Sequence, residues 1–369
     1  MSPAARAGAG IAAASGAGGG AGDAWVLGVD SGGSGLRVAL ARPRAGPGRT
    51  APRPVAVTSC AEPVRTGPTG LDAAHMWGQL APAVRALLAE AGAAEESGPA
   101  AGDAHIAAAC VGAAGMASLG DGLRAELPGA LAGTFGVRRI ALAADAVTAY
   151  AGALGERPGA VVAAGTGMIA MGTDLASWRR ADGWGHLLGD CGSGAWIGRA
   201  GLEAAMRGID GRAGGSAALR ARAEEMFGAP LDGLPGQLYP RPDRPAVLAA
   251  FAPQVARCAA DGDPVAGGIV RAAAGEIAKS AAAVCPRGPD EEEGEDGEDG
   301  PALVACTGGL FRLGQVLTGP LRAEFARLLP TARMTEPAGD PLDGALLIAE
   351  RLAGDCLALP PDPRLLAVL

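Results

Sequence analysis

Two glycine-rich turns, each following an apolar run, contain the residues best suited to bind phosphate groups. Each turn lies between two apolar segments, which predicts a β-hairpin whose tip exposes backbone N–H groups. Glycine allows the positive φ angles and the close approach that a phosphate requires. The candidate phosphate-binding residues are Ser31, Gly32, Gly33 and Ser34 in the first turn and Gly165, Thr166 and Gly167 in the second. Two such tips on opposite sides of a cleft would hold a polyphosphate, which points to ATP.

The lysine that most nucleotide-binding loops use is missing. The chain has one lysine, Lys279, and it lies in an alanine-rich stretch far from both turns. This excludes the P-loop pattern GxxxxGK[ST] and the strand lysine of protein kinases. ATP would therefore be held by backbone amides, hydroxyl groups, Mg²⁺ and arginine.

Two aspartates next to predicted strands are candidates for metal binding and for proton transfer. Asp30 directly precedes the first turn; it either holds Mg²⁺ through water or belongs to an ordinary hairpin turn. Asp145 follows the predicted strand at residues 139–144 and begins a predicted helix at 145–154. It is either the N-cap of this helix and nothing more, or a general base for a hydroxyl group that attacks a γ-phosphate.

The loop at residues 183–194 is the most distinctive stretch of the sequence. It contains five glycines together with Trp184, His186 and Asp190. Such a composition is poor for a core and typical of a polar binding loop. Asp190 is suited to accept hydrogen bonds from sugar hydroxyls. His186 is either a catalytic base or a packed, hydrogen-bonded histidine, and Cys191 is interpreted as a small filler.

Composition excludes several classes of protein. Residues 290–299 hold eight acids and no base, which equals the whole net charge of −8; they form either a solvated acidic loop or a partner-binding segment. The scarcity of lysine argues against nucleic-acid binding. Seven dispersed cysteines without a C-x-x-C pair are typical of reduced thiols in a cytoplasm. No signal-peptide or membrane-spanning pattern is present, so we expect a cytoplasmic protein that does not bind a membrane.

Periodicity predicts the element order βββαβαβα and then a second set of strands, which is typical of an α/β protein with two lobes of similar design. A cleft between the lobes is the expected ligand site. We predict a disordered Ala/Gly tail at 1–24, an N-terminal lobe at 25–144 and a C-terminal lobe at 145–342 with a disordered acidic insert at 287–300. A final helix at about 343–355 is expected to pack back on the N-terminal lobe.

Together these motifs resemble the N-acetylglucosamine kinase family, the BadF/BadG-type branch of the actin-like sugar-kinase ATPase superfamily. The resemblance covers about residues 25–355 and rests on the tip at 30–35, on Asp145 after its strand, on Ala164-Gly165-Thr166-Gly167 and on the 183–193 motif. The motif Gly-Trp-Gly-His-Leu-Leu-Gly-Asp-x-Gly-Ser is the part most specific to this branch.

The resemblance implies a ribonuclease-H-like fold in both lobes, with ATP and Mg²⁺ in the cleft and Asp145 as the base for the 6-hydroxyl of an amino sugar. N-acetylglucosamine is the first expectation for this small-molecule substrate, and a homodimer is compatible with the family. The implied ligand contacts are Gly183, Trp184, Gly185 and Asp190 for the sugar and Gly308 and Gly309 for the adenosine.

The chain departs from the family pattern at three places. The first tip lacks the usual lysine, Cys191 replaces a glutamate of the sugar loop, and residues 62–67 contain no asparagine after the third strand. Glucosamine or another amino sugar therefore remains an alternative substrate. A non-catalytic ATP-binding regulator and an activator ATPase of radical dehydratases are alternatives of another class. Retention of both Asp30 and Asp145 favours an enzyme, and the cysteines lack the spacing of cluster ligands.

Overall fold

A computed structural model describes residues 24–33, 35–44, 50–67, 70–95, 105–286 and 301–369. Ser34, the tail at 1–23 and the acidic insert lie outside the described residues. The strands are β1 (Ala24–Gly32), β2 (Gly35–Ala41), β3 (Pro54–Cys60), β4 (Thr66–Gly67), β5 (Gly70–Leu71), β6 (His105–Ala113), β7 (Arg139–Ala144), β8 (Gly159–Ala164), β9 (Met168–Thr173), β10 (Trp178–Asp182), β11 (Leu303–Thr307), β12 (Arg333–Thr335) and β13 (Leu366–Val368).

The helices alternate with these strands, and two 3₁₀ turns lie at Leu231–Gly233 and Gly309–Leu313. The helices are α1 (Ala73–Glu95), α2 (Met116–Leu119), α3 (Asp121–Phe135), α4 (Asp145–Leu154), α5 (Gly194–Asp210), α6 (Ala217–Phe227), α7 (Leu234–Leu238), α8 (Arg244–Ala260), α9 (Pro264–Val284), α10 (Gln315–Leu328) and α11 (Pro341–Ala353).

The first sheet has the strand order β13-β7-β6-β1-β2-β3. β1, β6 and β7 are parallel, whereas β2 and β3 continue from β1 as an antiparallel meander and β13 pairs antiparallel with β7. The parallel strands are almost wholly buried, as expected for strands covered on both faces. Their carboxyl ends therefore meet at one edge of the sheet.

The second sheet repeats this design with the order β10-β9-β8-β11-β12. β8, β9 and β10 form the antiparallel meander, and β11 and β12 add in parallel to β8. Two sheets with the same order, a three-strand meander followed by parallel strands, confirm the predicted α/β fold of two ribonuclease-H-like lobes. The exact lobe boundaries remain a prediction.

Helices α4 and α11 pack against each other between the two sheets. α11 lies on β1 and β6, although it follows the second sheet in the sequence, and α4 contacts strands of both sheets. Apolar residues of the second sheet, such as Val161 and Leu303, share one core with the first sheet. A separate core fills the other face of the second sheet, under α5, α8, α9 and α10.

One local prediction at the future site is wrong. The N-cap of α4 is Ala144, whose backbone is extended, and Asp145 is the first residue of the helix. The reason is that the extended backbone of β7 ends at Ala144 and Asp145 is already helical, so the helix begins one residue earlier than a cap at Asp145 would require. The structure contains no helix, among the residues that it describes, long and apolar enough to cross a membrane.

Candidate active site

Asp30 and Asp145 lie at the same edge of the first sheet. Asp30 near the end of β1 is in register with Gly112 of β6, and Ala113 of β6 is in register with Ala144, the residue before Asp145. β6 therefore separates the two aspartates by one strand. Ligands of open α/β sheets bind at the carboxyl ends of the strands, which is where both carboxylates stand.

The carboxylate of Asp145 is held at the start of α4 and is largely desolvated. Its Oδ1 accepts a hydrogen bond from the backbone N–H of Ala146 at 2.9 Å, and Thr148 donates its hydroxyl to the Asp145 carbonyl at 2.9 Å. Burial raises the pKa of Asp145, and the nearby Asp30 carboxylate raises it further. The Ala146 N–H and the charge of Arg180 oppose this shift. A carboxylate with a raised pKa is better matched to proton abstraction near neutral pH.

Arg37 joins Asp30 to the N-terminus of α11. Its Nε and Nη2 donate to Oδ2 of Asp30 at 3.1 and 2.7 Å, and its Nη1 donates to Asp340 at 2.6 Å. Asp340 is the N-cap of α11 and forms a capping box with Asp343. One positively charged side chain thus fixes Asp30 against an element that follows it by about three hundred residues in the chain.

The first glycine turn joins β1 to β2 beside Asp30. Ser31 is buried, and its carbonyl accepts a hydrogen bond from Ala114 N–H at 2.9 Å. Gly32 and Gly33 have no neighbouring atom within 4 Å of the position that a Cβ would occupy. This open space is what a bound phosphate would need. Ser34 lies outside the described residues, so its predicted phosphate contact stays a prediction.

The second glycine turn rests on the N-terminus of α5. The carbonyls of Gly165 and Thr166 accept hydrogen bonds from Gly194 and Ala195 at 2.9 and 3.0 Å. The Ser193 side chain caps the same helix by accepting from Trp196 N–H at 3.2 Å. The N-terminus of α5 therefore holds the turn in place, and this end of a helix carries partial positive charge.

Gly308 lies against Ala164, the residue that leads from β8 into this second turn, and Gly309 follows it with open space at the position that a Cβ would occupy. β11 and β8 are paired up to Thr307 and Ala163, so both strands end side by side. Gly308 has a φ of 106°, and a Cβ there would overlap the Ala164 carbonyl oxygen. Only glycine allows the backbones to approach this closely.

A cavity of about 430 Å³ opens beside the 3₁₀ turn that follows Gly308. It lies between α8 and the start of α10, with an apolar floor and two arginines. Its lining residues are Pro253, Ala256, Arg257, Ala260, Arg312, Leu313 and Val316. Asp145 is not among them. The cavity is therefore distinct from the carboxylate edge, the edge of the first sheet that holds Asp30 and Asp145.

The loop at 183–194 is organised around two carboxylates. Asp182 accepts hydrogen bonds from the backbone N–H groups of Asp190 and Cys191. Asp190 in turn accepts from Gly185 N–H at 3.1 Å, and its Oδ2 lies 2.7 Å from the position of a Cβ on Gly167. Asp190 therefore touches the second glycine turn. Burial and the Asp182 charge raise the pKa of Asp190, and the Gly185 N–H opposes this rise.

Trp184 is two-thirds exposed, at 66% of its surface, and it stacks on Arg180 with the guanidinium carbon 4.3 Å from the ring centroid. Arg180 also donates to the carbonyl of Gly183 at 2.7 Å. Since its charge also acts on Asp145, Arg180 connects the 183–194 loop with the carboxylate edge. His186 lies on the same loop, and its electrostatic interaction with Asp190 works against the rise in the pKa of that carboxyl.

The structure thus groups the predicted residues into two sets. Asp30, Asp145 and the first turn lie on the first sheet, and Gly165–Gly167, Gly308, Gly309 and Asp190 lie on the second. Sequence reasoning missed Arg37, Arg180 and Asp182. Arg37 lies just after the first glycine turn, and Asp182 lies just before the 183–194 loop. Which residues they bind depends on the fold, and no spacing in the sequence indicates those partners.

Two lobes of repeated topology, each presenting a glycine turn where strands end, define the actin-like ATPase fold. The chain belongs to the BadF/BadG/BcrA/BcrD ATPase family, whose model matches residues 27–349.

Solved structures and a curated relative agree with this assignment. A structure from Chromobacterium violaceum described as a candidate N-acetylglucosamine kinase is 28% identical with a TM-score of 0.62, covering 89% of this chain and 99% of that one. A second candidate N-acetylglucosamine kinase, from Porphyromonas gingivalis, has the same coverage and TM-score at 16% identity and supports the fold alone.

The curated relative is an N-acetylmuramic acid/N-acetylglucosamine kinase of Clostridium acetobutylicum. It is 40% identical over 75 residues, which span 20% of this chain and 24% of the relative. The match therefore covers about a quarter of that protein, and what the relative acts on is a proposal for this chain.

Proposed function

We propose that this protein is an ATP-dependent kinase of an amino sugar, with Asp145 as the general base. The observation that carries the proposal is the Asp145 carboxylate. It lies at the carboxyl edge of three parallel strands, shares that edge with Asp30, and has a raised pKa. Arg180 contacts the 183–194 loop, where a sugar would bind, and its charge also acts on Asp145.

In the proposed reaction, Asp145 accepts the proton of the sugar hydroxyl. The hydroxyl oxygen forms a bond to the γ-phosphorus of ATP, and the bond from that phosphorus to the bridging oxygen breaks, which releases ADP. Asp145 is left protonated and returns the proton to solvent. General-base catalysis of this kind contributes about 10²- to 10⁴-fold to a rate.

The two glycine turns would hold the triphosphate from both sides through backbone N–H groups, with Ser31–Gly33 and Ser34 on one side and Gly165–Gly167 on the other. The nucleoside would lie against Gly308 and Gly309, and its base would enter the cavity beside α8, whose apolar floor suits a flat ring. Arg312 and Leu313, which line this cavity, belong to the 3₁₀ turn that begins at Gly309.

Asp30 fits the role of a magnesium ligand through water. The two hydrogen bonds that Arg37 donates to Asp30 both go to Oδ2, so that Oδ1 accepts none from this arginine and would be the oxygen that faces the hydrated ion. One carboxylate together with substrate phosphates is a usual environment for Mg²⁺. The ion would neutralise charge that develops on the phosphates.

The sugar would bind at the loop formed by Gly183, Trp184, Gly185 and Asp190. We propose N-acetylglucosamine phosphorylated at the 6-hydroxyl as the first candidate, because the Chromobacterium violaceum and Clostridium acetobutylicum proteins are named for this sugar. Glucosamine is the second candidate. Cys191, at a place where related sugar loops carry a glutamate, removes a charge next to this site and is the reason to test both.

A panel of sugars tests the proposal. ADP release from ATP and Mg²⁺ is measured with N-acetylglucosamine, glucosamine, N-acetylmannosamine, N-acetylmuramate and glucose. We expect one amino sugar to stimulate ADP release well above the rate with ATP alone. No stimulation by any of them would overturn the kinase and favour an ATP-binding regulator or a dehydratase-activator ATPase. A cytoplasmic location and a homodimer remain part of the proposal and are checked by fractionation and by light scattering.

A further inference from the structure

Asp182 is a carboxylate next to the sugar loop to which neither a motif nor the proposed chemistry assigns a task. It is the last residue of β10, it pairs with Ile169 of β9, and its backbone is left-handed with φ 61°. We infer that Asp182 is a positioning residue that holds the sugar loop in its binding shape. The expected effect on sugar binding rests on the proposed function. The claim that Asp182 holds the loop in shape does not depend on it.

Both oxygens of Asp182 are used to hold the loop. Oδ1 accepts from Asp190 N–H at 2.6 Å, and Oδ2 accepts from Cys191 N–H at 2.9 Å. Hydrogen bonds from N–H groups to a charged carboxylate are roughly twice as strong as neutral ones. These two bonds close the eight residues from 183 to 190 into a loop with both ends on β10.

The hydrogen bonds to Asp182 stabilise Asp190 in a backbone conformation that is unfavourable for this residue type. Asp190 has φ 55°, a left-handed backbone that is uncommon for residues other than glycine. Such a conformation persists only where its surroundings determine it. Asp182 holds the amide of Asp190, and the Asp190 carboxylate then reaches Gly185 N–H on one side and Gly167 on the other.

This chain of contacts runs from β10 through the sugar loop to the second glycine turn. Loss of Asp182 would release the Asp190 carboxylate from its place while leaving the carbonyls of Gly165 and Thr166 on α5. The sugar site should therefore loosen, and the nucleotide turn should keep its support. The expected signature is an effect on sugar binding alone.

Asp174 provides a matched control. It lies in the turn at the other end of the same β9–β10 hairpin, and its Oδ1 accepts from the N–H groups of Ala176 and Ser177 at 3.0 and 2.9 Å. Asp174→Ala therefore removes the same type of carboxylate–backbone contact from the same hairpin, away from the sugar loop.

The test compares Asp182→Ala, Asp182→Asn and Asp174→Ala in the full chain. We expect Asp182→Ala to raise the KM for the active sugar about ten-fold or more, with the KM for ATP within about two-fold. Asp182→Asn keeps one acceptor oxygen, so its KM for the sugar should lie between those of the wild type and Asp182→Ala. This variant also serves as the test if the alanine variant folds poorly. Asp174→Ala should leave both KM values unchanged. An equal rise of both KM values, or an equal effect of Asp174→Ala, would overturn the inference.

Hydrogen exchange of peptides from residues 183–194 decides the structural part without any sugar. We expect Asp182→Ala to speed exchange in this loop by about ten-fold while α5 and β8 keep their protection. Unchanged protection in the loop would overturn the positioning role even if the enzyme is active. If the wild-type protein phosphorylates none of the sugars, the proposed function fails and the exchange result still decides whether Asp182 holds the loop.

Discussion

At the scale of single residues, the site depends on carboxylates whose surroundings differ. Asp30 is neutralised by Arg37, whereas Asp145 is desolvated and lies near the charge of Asp30. In the proposed mechanism the two aspartates therefore take different tasks, Asp30 at the phosphates and their ion and Asp145 at the proton. The difference arises from neighbours and not from residue type.

Asp145→Asn should slow turnover strongly and stabilise the fold. We expect kcat to fall by about 10²- to 10⁴-fold, since the amide cannot accept the proton. Because burial raises the pKa of Asp145 in the folded state, the wild-type protein loses stability as pH rises from the ordinary carboxyl range through that raised pKa. The Asn variant escapes this loss, and its gain in Tm over the wild type should be larger at pH 8 than at pH 4. A rate near that of the wild type would remove Asp145 from the role of base.

Arg180→Met should move the acidic limb of the rate profile to higher pH. The Arg180 charge lowers the pKa of Asp145, so its removal lets that pKa rise further. The profile of kcat against pH at saturating sugar measures the shift. Arg179→Met is the control, because Arg179 is the exposed neighbour on the same strand and should leave the limb in place. A limb that does not move would show that Arg180 does not act on the base.

At the scale of elements, strand ends and helix starts place every part of the candidate site. β1, β7, β8 and β11 each end next to a candidate residue or turn, and α4 and α5 begin there. Within each sheet, parallel pairing brings these ends together, since parallel strands present their carboxyl ends at one edge. A close backbone contact between Gly308 and Ala164 then brings the end of β11 against the end of β8.

Gly308→Ala should impair nucleotide binding, whereas Gly309→Ala should not. A Cβ at 308 would overlap the Ala164 carbonyl next to the second glycine turn, and the φ of 106° is unfavourable for alanine. Gly309 has open space at the same position and no such φ. Calorimetric titration with a non-hydrolysable ATP analogue should show weaker binding for the first variant only. Equal affinities would mean that this contact does not shape the nucleotide site.

At the scale of the whole molecule, α4 and α11 join the two sheets. α11 returns from the second sheet to pack on β1 and β6, and its N-cap Asp340 binds Arg37. The helix is also joined to the segment that follows α4, since Arg351 forms an ion pair with Glu156 at 2.6 Å that is largely shielded from solvent. The relative placement of the lobes therefore depends on contacts between distant parts of the sequence.

Gly344→Ala should destabilise the protein strongly, because a Cβ at 344 on α11 would overlap the Thr148 carbonyl oxygen of α4. Overpacking of a core costs about 1–3 kcal/mol or more. Gly275→Ala on α9 meets nothing within 4 Å and should be neutral or stabilising by up to about 1 kcal/mol, since alanine favours helix. Thermal unfolding compares the two. A Tm for Gly344→Ala equal to that of the wild type would show that the crossing of α4 and α11 can adjust.

Local sequence determined the elements and the motifs. β7 and α4 have the predicted bounds, because apolar periodicity and local turn residues act over a few positions. The glycine turns at 31–34 and 165–167 and the loop at 183–194 were found in the same way, since turn chemistry depends on residue type. The short strands β12 and β13 were missed because three residues carry too little periodicity.

Only the tertiary structure decided which of these motifs meet. The Arg37–Asp340 pair joins residues 303 positions apart, and the contact of Asp190 with Gly167 depends on how β9 and β10 fold back. The raised pKa of Asp145 likewise comes from burial and from Asp30, which lies more than a hundred positions earlier in the chain. Sequence pattern reports what a segment can do locally, whereas burial and electrostatic coupling depend on neighbours that only the folded chain supplies.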